Sequence, residues 1–256
     1  MIALYHGANS VCSIKVRIVL AEKGLEWESR HIDLPNGGQF APEFLKVNPA
    51  AIVPVLDHDG RRVFESSVIC EYLDGFEGPR LMPAAPYLAA KTRTWGTLQL
   101  SYHDAVNTLT FASYQRAMLL KKSPEELEAR WDAMPDQIKA KKMRDLIANG
   151  PTSDYVPVAF GRLTRMMEMM EEDLTGPWLM GEDYGIADAT QSAYMFRLSC
   201  MGLEPMWEGP FPRVTDWFAR CMARPSMAQA NDGWIDAAMV EKIRAAGAEA
   251  FGDRFA

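Results

Sequence analysis

A change of periodicity near residue 75 constrains this chain more than any other feature. Before it, strand-like and helix-like segments alternate. Ile2-Ala3-Leu4-Tyr5 reads as a short apolar strand, and Ile14, Ile18, Ala21 and Leu25 follow at helical spacing, with Gly24 placed to cap the helix. Trp27 to Asp33 reads as a second strand and Pro42 to Val47 as a short helical turn. Val53-Pro54-Val55-Leu56 and Arg61-Arg62-Val63-Phe64 flank the turn Asp57-His58-Asp59-Gly60, a hairpin signature. Helical spacing returns from Ser66 to Leu73. The resulting order, βαβ-α-ββα, predicts a mixed sheet with helices on its faces.

Glycines and prolines crowd the segment from Asp74 to Pro86, which suits a connection between two domains, 1–78 and 86–256. Beyond it the strand signal is lost. Trp95, Leu98, Tyr102, Ala105, Leu109 and Ala112 step by three or four, as the buried stripe of a long helix does. A polar stretch from Lys121 to Asn149 reads as a long connector broken at Pro124, Pro135 and Pro151. A Met-rich helix is expected around Leu163 to Leu174, and further helices over Ile186 to Cys200, Val214 to Cys221 and from Met227 onward. The second domain is therefore expected to be all helical.

Charge and composition exclude several function classes. The chain has 27 basic and 34 acidic residues, a net charge of -7, and no long basic cluster, so a nucleic-acid partner is not expected. No apolar run approaches the roughly 18 residues of a membrane span. The start, Met1 to His6, lacks the features of an export signal, so a cytoplasmic location is expected. Cys12, Cys70, Cys200 and Cys221 lack metal-ligand or disulfide-framework spacing, and the four histidines are too irregularly placed for a metal site.

The βαβ-α-ββα order, Val53-Pro54 ahead of a hairpin and Glu65-Ser66 opening a helix together resemble the glutathione transferase fold, over about residues 1 to 225. The resemblance implies an α/β thioredoxin-like N-terminal domain, an all-α C-terminal domain, glutathione as cosubstrate and a homodimer. It also implies a cis Pro54, with the backbone of Val53 pairing to the extended tripeptide. Ser66, at a helix start, offers donors to the γ-glutamyl carboxylate, and Glu65 accepts from its ammonium. Two departures stand out. Apolar Ile52 occupies the position of a lysine that meets the glycyl carboxylate, which leaves Gln39 as the candidate donor. Gly185 replaces the Ser/Thr that normally caps the helix at Ile186-Ala187-Asp188.

The thiol itself needs a donor. Depressing a free thiol from a pKa of about 8.5 takes about 1.4 kcal/mol per unit, within reach of one or two hydrogen bonds. The loop Gly7-Ala8-Asn9-Ser10 opening the first helix offers Asn9, Ser10, Cys12 and Ser13. This loop, the Glu22 to Glu26 run and the segment Ser67 to Leu73 resemble the bacterial glutathione-dependent β-aryl etherases of lignin degradation. The resemblance favours Asn9 and Ser10 as thiolate donors, with Ser13 in support. Cys12 as nucleophile would instead make a thiol-exchange enzyme. His6, Tyr102, Phe111 and Tyr114, with Met166 to Met170, are the expected contacts of an aromatic electrophile. Three functions are consistent with this reading: a β-aryl etherase, a general transferase for aromatic electrophiles, and a non-catalytic protein that binds glutathione or a hydrophobic ligand.

Overall fold

The computed structural model describes residues 1–255. A four-stranded sheet is ordered β2-β1-β3-β4, with β1 (Ile2–His6) parallel to β2 (Glu28–His31) and antiparallel to β3 (Val55–His58), which pairs in turn with β4 (Arg61–Val63). The crossover between β1 and β2 runs through α1 (Val11–Lys23), ended by Gly24 at φ 64°. Short α2 (Pro42–Leu45) lies between β2 and β3, and α3 (Ser66–Asp74) follows β4. This is the mixed sheet that the segment order predicts and the thioredoxin-like arrangement that the resemblance implies.

The remainder is helical: α4 (Pro86–Ala112), α5 (Tyr114–Leu119), α6 (Pro124–Asp132), α7 (Gln137–Asn149), α8 (Tyr155–Asp173), α9 (Ile186–Cys200), α10 (Pro212–Met222), α11 (Pro225–Asn231) and α12 (Ala237–Phe251). The polar connector of the sequence reading turns out to contain α6 and α7. Pro135 does separate the two helices, whereas Pro124 opens one. Pro124 sits in the first turn of α6, where no amide partner is lost, behind a capping box in which Ser123 Oγ accepts from the Glu126 amide at 3.2 Å and Glu126 accepts from the Ser123 amide at 2.8 Å. Asp136 caps α7 in the same way, at 2.9 Å from the Lys139 amide. Trp131, Ala140, Met143 and Leu146 then supply an apolar face that seals the pair onto the bundle.

Helix α1 is the wedge between the two parts, packed on α3, α9 and α11. Two of its buried cations, Lys15 and Arg17, are satisfied by oxygens of both parts. At the start of α9 the structure explains the departure at Gly185. A β carbon there would stand 2.6 Å from the Leu81 carbonyl oxygen, so only glycine allows the inter-domain segment to approach. Half of the capping box survives, since Asp188 accepts from the Gly185 amide at 2.9 Å. The same carboxylate accepts from the Leu179 amide and from Trp217 Nε1.

Candidate functional site

A cavity of about 600 Å³ lies between the sheet domain and the helical bundle. Asn9, Ser10 and Cys12 at the start of α1 line one end, and Val53, Pro54, Glu65 and Ser66 continue the same wall. The Val53-Pro54 peptide is cis, and Glu65 holds φ 63°, an uncommon value for a side-chain-bearing residue, just ahead of α3. Val53 precedes β3, and among the described residues no backbone hydrogen bond of a loop or turn engages its amide or carbonyl. An extended peptide can therefore pair there as an added strand.

The Ser66 end is densely cross-bonded. Lys15 Nζ, buried, donates to Ser66 Oγ at 3.1 Å, Ser67 Oγ at 3.0 Å and the Tyr194 hydroxyl at 3.4 Å. Burial pushes the Lys15 pKa down, and no carboxylate among the described residues forms a salt bridge with it. A cation held by hydroxyls without a counter-ion is matched to an incoming carboxylate.

At the thiol loop, Ser10 caps α1 by accepting from the Ser13 amide at 3.3 Å, which uses a lone pair and leaves the hydroxyl proton to donate. Arg197 Nη2, from α9, donates to the Asn9 carbonyl oxygen at 2.7 Å and to Asn9 Oδ1. With its amide oxygen held, Asn9 has its NH2 group free for the cavity. Arg17 fixes the loop from behind, donating to the Gly7 and Ala8 carbonyls at 3.2 and 2.9 Å.

Cys12 faces His103 of α4, with Sγ 3.5 Å from Nδ1. Burial would raise this thiol, but His103, by charge and hydrogen bond, with Lys15 and Ser66, brings it down to about 6. The thiols of Cys70, Cys200 and Cys221 are all pushed up by burial.

Several expected contacts lie elsewhere. His6 is fully buried outside the cavity, where it accepts from Arg17 through Nδ1 at 3.1 Å and donates through Nε2 to Ser29 Oγ at 2.8 Å. Burial, then Arg17 and His31, push its pKa down to about 3, and it braces the sheet as a neutral ring. Ser13 is buried and accepts from the Gly7 amide at 3.2 Å, closing the loop instead of facing the cavity. Tyr102 turns into the bundle and donates to Met169 Sδ at 3.4 Å. Tyr114 is buried at the start of α5, and Met166 and Met170 are core. Of the four expected electrophile contacts only Phe111 lines the cavity, and Gln39 and Ile52 line its far end. Polar residues that line the cavity and that sequence reasoning does not single out include His103, Asn107 and Arg197. The first two had a signal: Gln99, His103, Asn107 and Thr110 form a polar stripe at helical spacing along α4.

Residues 9–75 match the glutathione S-transferase N-terminal domain and residues 131–225 its C-terminal domain. The chain is 32% identical over 235 residues to the protein LigF of Sphingobium sp. strain SYK-6, covering 87% of this chain and 89% of that protein. The crystal structure of that β-etherase superposes with a TM-score of 0.81 at 30% identity, covering 90% of this chain and 98% of the other. Glutathione S-transferase TCHQD of Arabidopsis thaliana is 26% identical, over 87% of this chain and 86% of its own length. Sequence motifs, fold and relatives agree: the chain belongs to the glutathione S-transferase family, whose cosubstrate is glutathione.

Proposed function

We propose that this protein is a glutathione-dependent β-aryl etherase, in which the glutathione thiolate attacks the β carbon of a lignin-type aryl ether and displaces the aryloxide. The observation that carries the thiolate half of this reading is the Asn9–Arg197 contact. An asparagine whose amide oxygen is held by a buried guanidinium presents two donors and no competing acceptor to an incoming sulfur anion. Ser10 adds a hydroxyl donor, and the N-terminus of α1 adds its dipole. The ether half is supported by the similarity to the β-etherase LigF and by the walls beyond the thiol loop, where Val106, Phe111, Trp131 and Met134 offer apolar surface to aryl rings.

Each residue then has a stated task. Val53 pairs with the tripeptide backbone, Glu65 and Ser66 hold its γ-glutamyl end, and Asn9 and Ser10 hold the sulfur as a thiolate at the mouth of the apolar walls. Sulfur forms a bond to the β carbon as the carbon–oxygen bond breaks, and the electron pair leaves with the aryloxide. A phenolate is a sufficiently good leaving group that positioning and thiolate stabilisation are the protein's main contributions.

Incubation of the enzyme and glutathione with a model β-aryl ether is expected to release the phenol and a glutathione thioether. Asn9→Ala combined with Ser10→Ala should lower kcat/KM by at least about 100-fold, the loss of two hydrogen bonds to a developing anion. Turnover of a chlorinated nitrobenzene with no phenol from any β-ether would replace this reading with a general transferase. Retention of ether cleavage within a few-fold by the double variant would remove Asn9 and Ser10 from the mechanism.

A further inference from the structure

At the Gln39 end of the cavity the chain's own polar groups are incompletely paired. A tripeptide paired to Val53 with its γ-glutamyl group at Ser66 runs out past Ile52, Gln39 and Phe40, so its glycyl carboxylate arrives among these residues. Ile52 is apolar and half exposed, and offers no charge. Gln39 is buried, and its Nε2 can donate to a carboxylate, whereas its Oε1, without a hydrogen-bond partner among the described residues, needs a donor that a carboxylate does not supply. One amide does not balance a carboxylate.

Arg130 closes this end from the other domain. It stands in the last turn of α6, and its guanidinium lies 5.7 Å from the centre of the Phe40 ring. It reaches the Leu34 and Pro35 carbonyls only at 3.3 and 3.4 Å, the long limit of a hydrogen bond. Among the described residues no carboxylate forms a salt bridge with it, and burial lowers its pKa, as expected of a partly desolvated cation without a counter-ion. The cation–π contact with Phe40 holds the guanidinium at this end of the cavity, and a planar fork is the donor set that meets a carboxylate with two bonds.

We propose that Arg130, delivered across the cavity by the α6–α7 pair, is the residue that binds the glycyl carboxylate of glutathione, with Gln39 beside it. This rests on the reading that Val53 and Ser66 hold glutathione. It also gives the α6–α7 pair a task, since part of the cosubstrate site is then supplied by the helical domain.

The test is a comparison of glutathione with its glycyl monoethyl ester, which keeps the thiol and γ-glutamyl group and removes one charge. Binding is measured by titration calorimetry on wild type, Arg130→Ala and Arg130→Lys, with circular dichroism as the folding control. Wild type should bind the ester at least about tenfold more weakly than glutathione, the loss of a charge-assisted pair. Arg130→Ala should bind both ligands alike, near the affinity of wild type for the ester, and Arg130→Lys should recover part of the discrimination. A variant that merely loosened the fold would weaken both ligands and keep their ratio, so an unchanged ratio in Arg130→Ala overturns the assignment. Absence of discrimination in wild type overturns it as well. Failure of wild type to bind either ligand would instead remove the underlying glutathione reading.

Discussion

The two walls of the cavity are built differently. On the sheet side the groups belong to short local motifs: Asn9 and Ser10 on a helix-opening loop, Val53 and Pro54 ahead of a strand, Glu65 and Ser66 at the start of α3. On the helical side, single residues far apart in sequence each reach across to a sheet-side group. Arg197 holds Asn9, His103 faces Cys12, Tyr194 accepts from Lys15, and Gln99 accepts from Ser67 at 3.1 Å. One wall presents the donors, and the other fixes their orientation and charge. Preorganisation of this kind lowers the cost of holding an anion, because the dipoles need not reorganise when it forms.

Breaking the Arg197–Asn9 contact should have the largest effect. Arg197→Met removes a buried guanidinium of which Nε and Nη1 have no partner among the described residues, so the fold loses little. Asn9, however, is released to rotate. The expected outcome is a fall of about 30-fold in kcat/KM, about 2 kcal/mol, for loss of a charge-assisted hydrogen bond. Steady-state kinetics, with the absorbance of bound glutathione thiolate followed against pH, should place the loss in the ionisation of the bound thiol. Glutathione affinity measured at a pH where the thiol is neutral should barely move. A uniform loss of affinity with an unchanged thiol titration would mean that the two walls are merely packed together.

Removal of His103 gives the next largest effect. The thiolate is the reactive form, and the Cys12 thiol is depressed to about 6, so alkylation by iodoacetamide should rise through pH 6 and level off by neutrality. In His103→Ala the burial that raises this thiol is opposed only by Lys15 and Ser66. The midpoint should climb by at least about one pH unit, slowing alkylation by about fivefold at pH 6 and about twofold at pH 7. Peptide mapping should find the label on Cys12, because Cys70, Cys200 and Cys221 are buried and raised. An unshifted midpoint would assign the low pKa to Lys15 and the helix start alone.

How much of this was legible follows from the same contrast. The segment order, the domain types and the motif residues from Asn9 to Ser66 are encoded within a few positions of one another, where turn chemistry and periodicity operate. Assignment to a wall of the cavity is different. Along α4 the apolar stripe Trp95, Tyr102, Leu109 marks the face buried in the bundle, and an aromatic residue on that stripe is core. The polar stripe through His103 and Asn107 is the one that meets the cavity. His6 lies outside the cavity: adjacency in sequence to the thiol loop does not give its direction. On β1 successive side chains alternate between faces, and His6 points beneath the sheet into a cluster with Trp27, His31 and Trp234. The connector reads as unstructured because its helices are polar at most positions, and Pro124, which reads as a break, opens α6 behind a capping box.

The smallest effect is expected at Tyr194. Its hydroxyl accepts from Lys15 Nζ at 3.4 Å, a long contact, and donates to the Gln99 carbonyl oxygen at the same distance. Two stronger acceptors, Ser66 and Ser67, remain for Lys15 when the hydroxyl is deleted, and Tyr194→Phe keeps the ring in its cation–π position, 5.4 Å from Nζ. Tyr194→Phe should therefore weaken glutathione binding by less than about threefold and change stability by about 1 kcal/mol or less. Calorimetric titration and thermal unfolding measure the two. A loss of tenfold or more would show that Lys15 depends on the helical wall as strongly as Asn9 does. The orientation of the γ-glutamyl end would then be set across the domain interface and no longer by the α3 start alone.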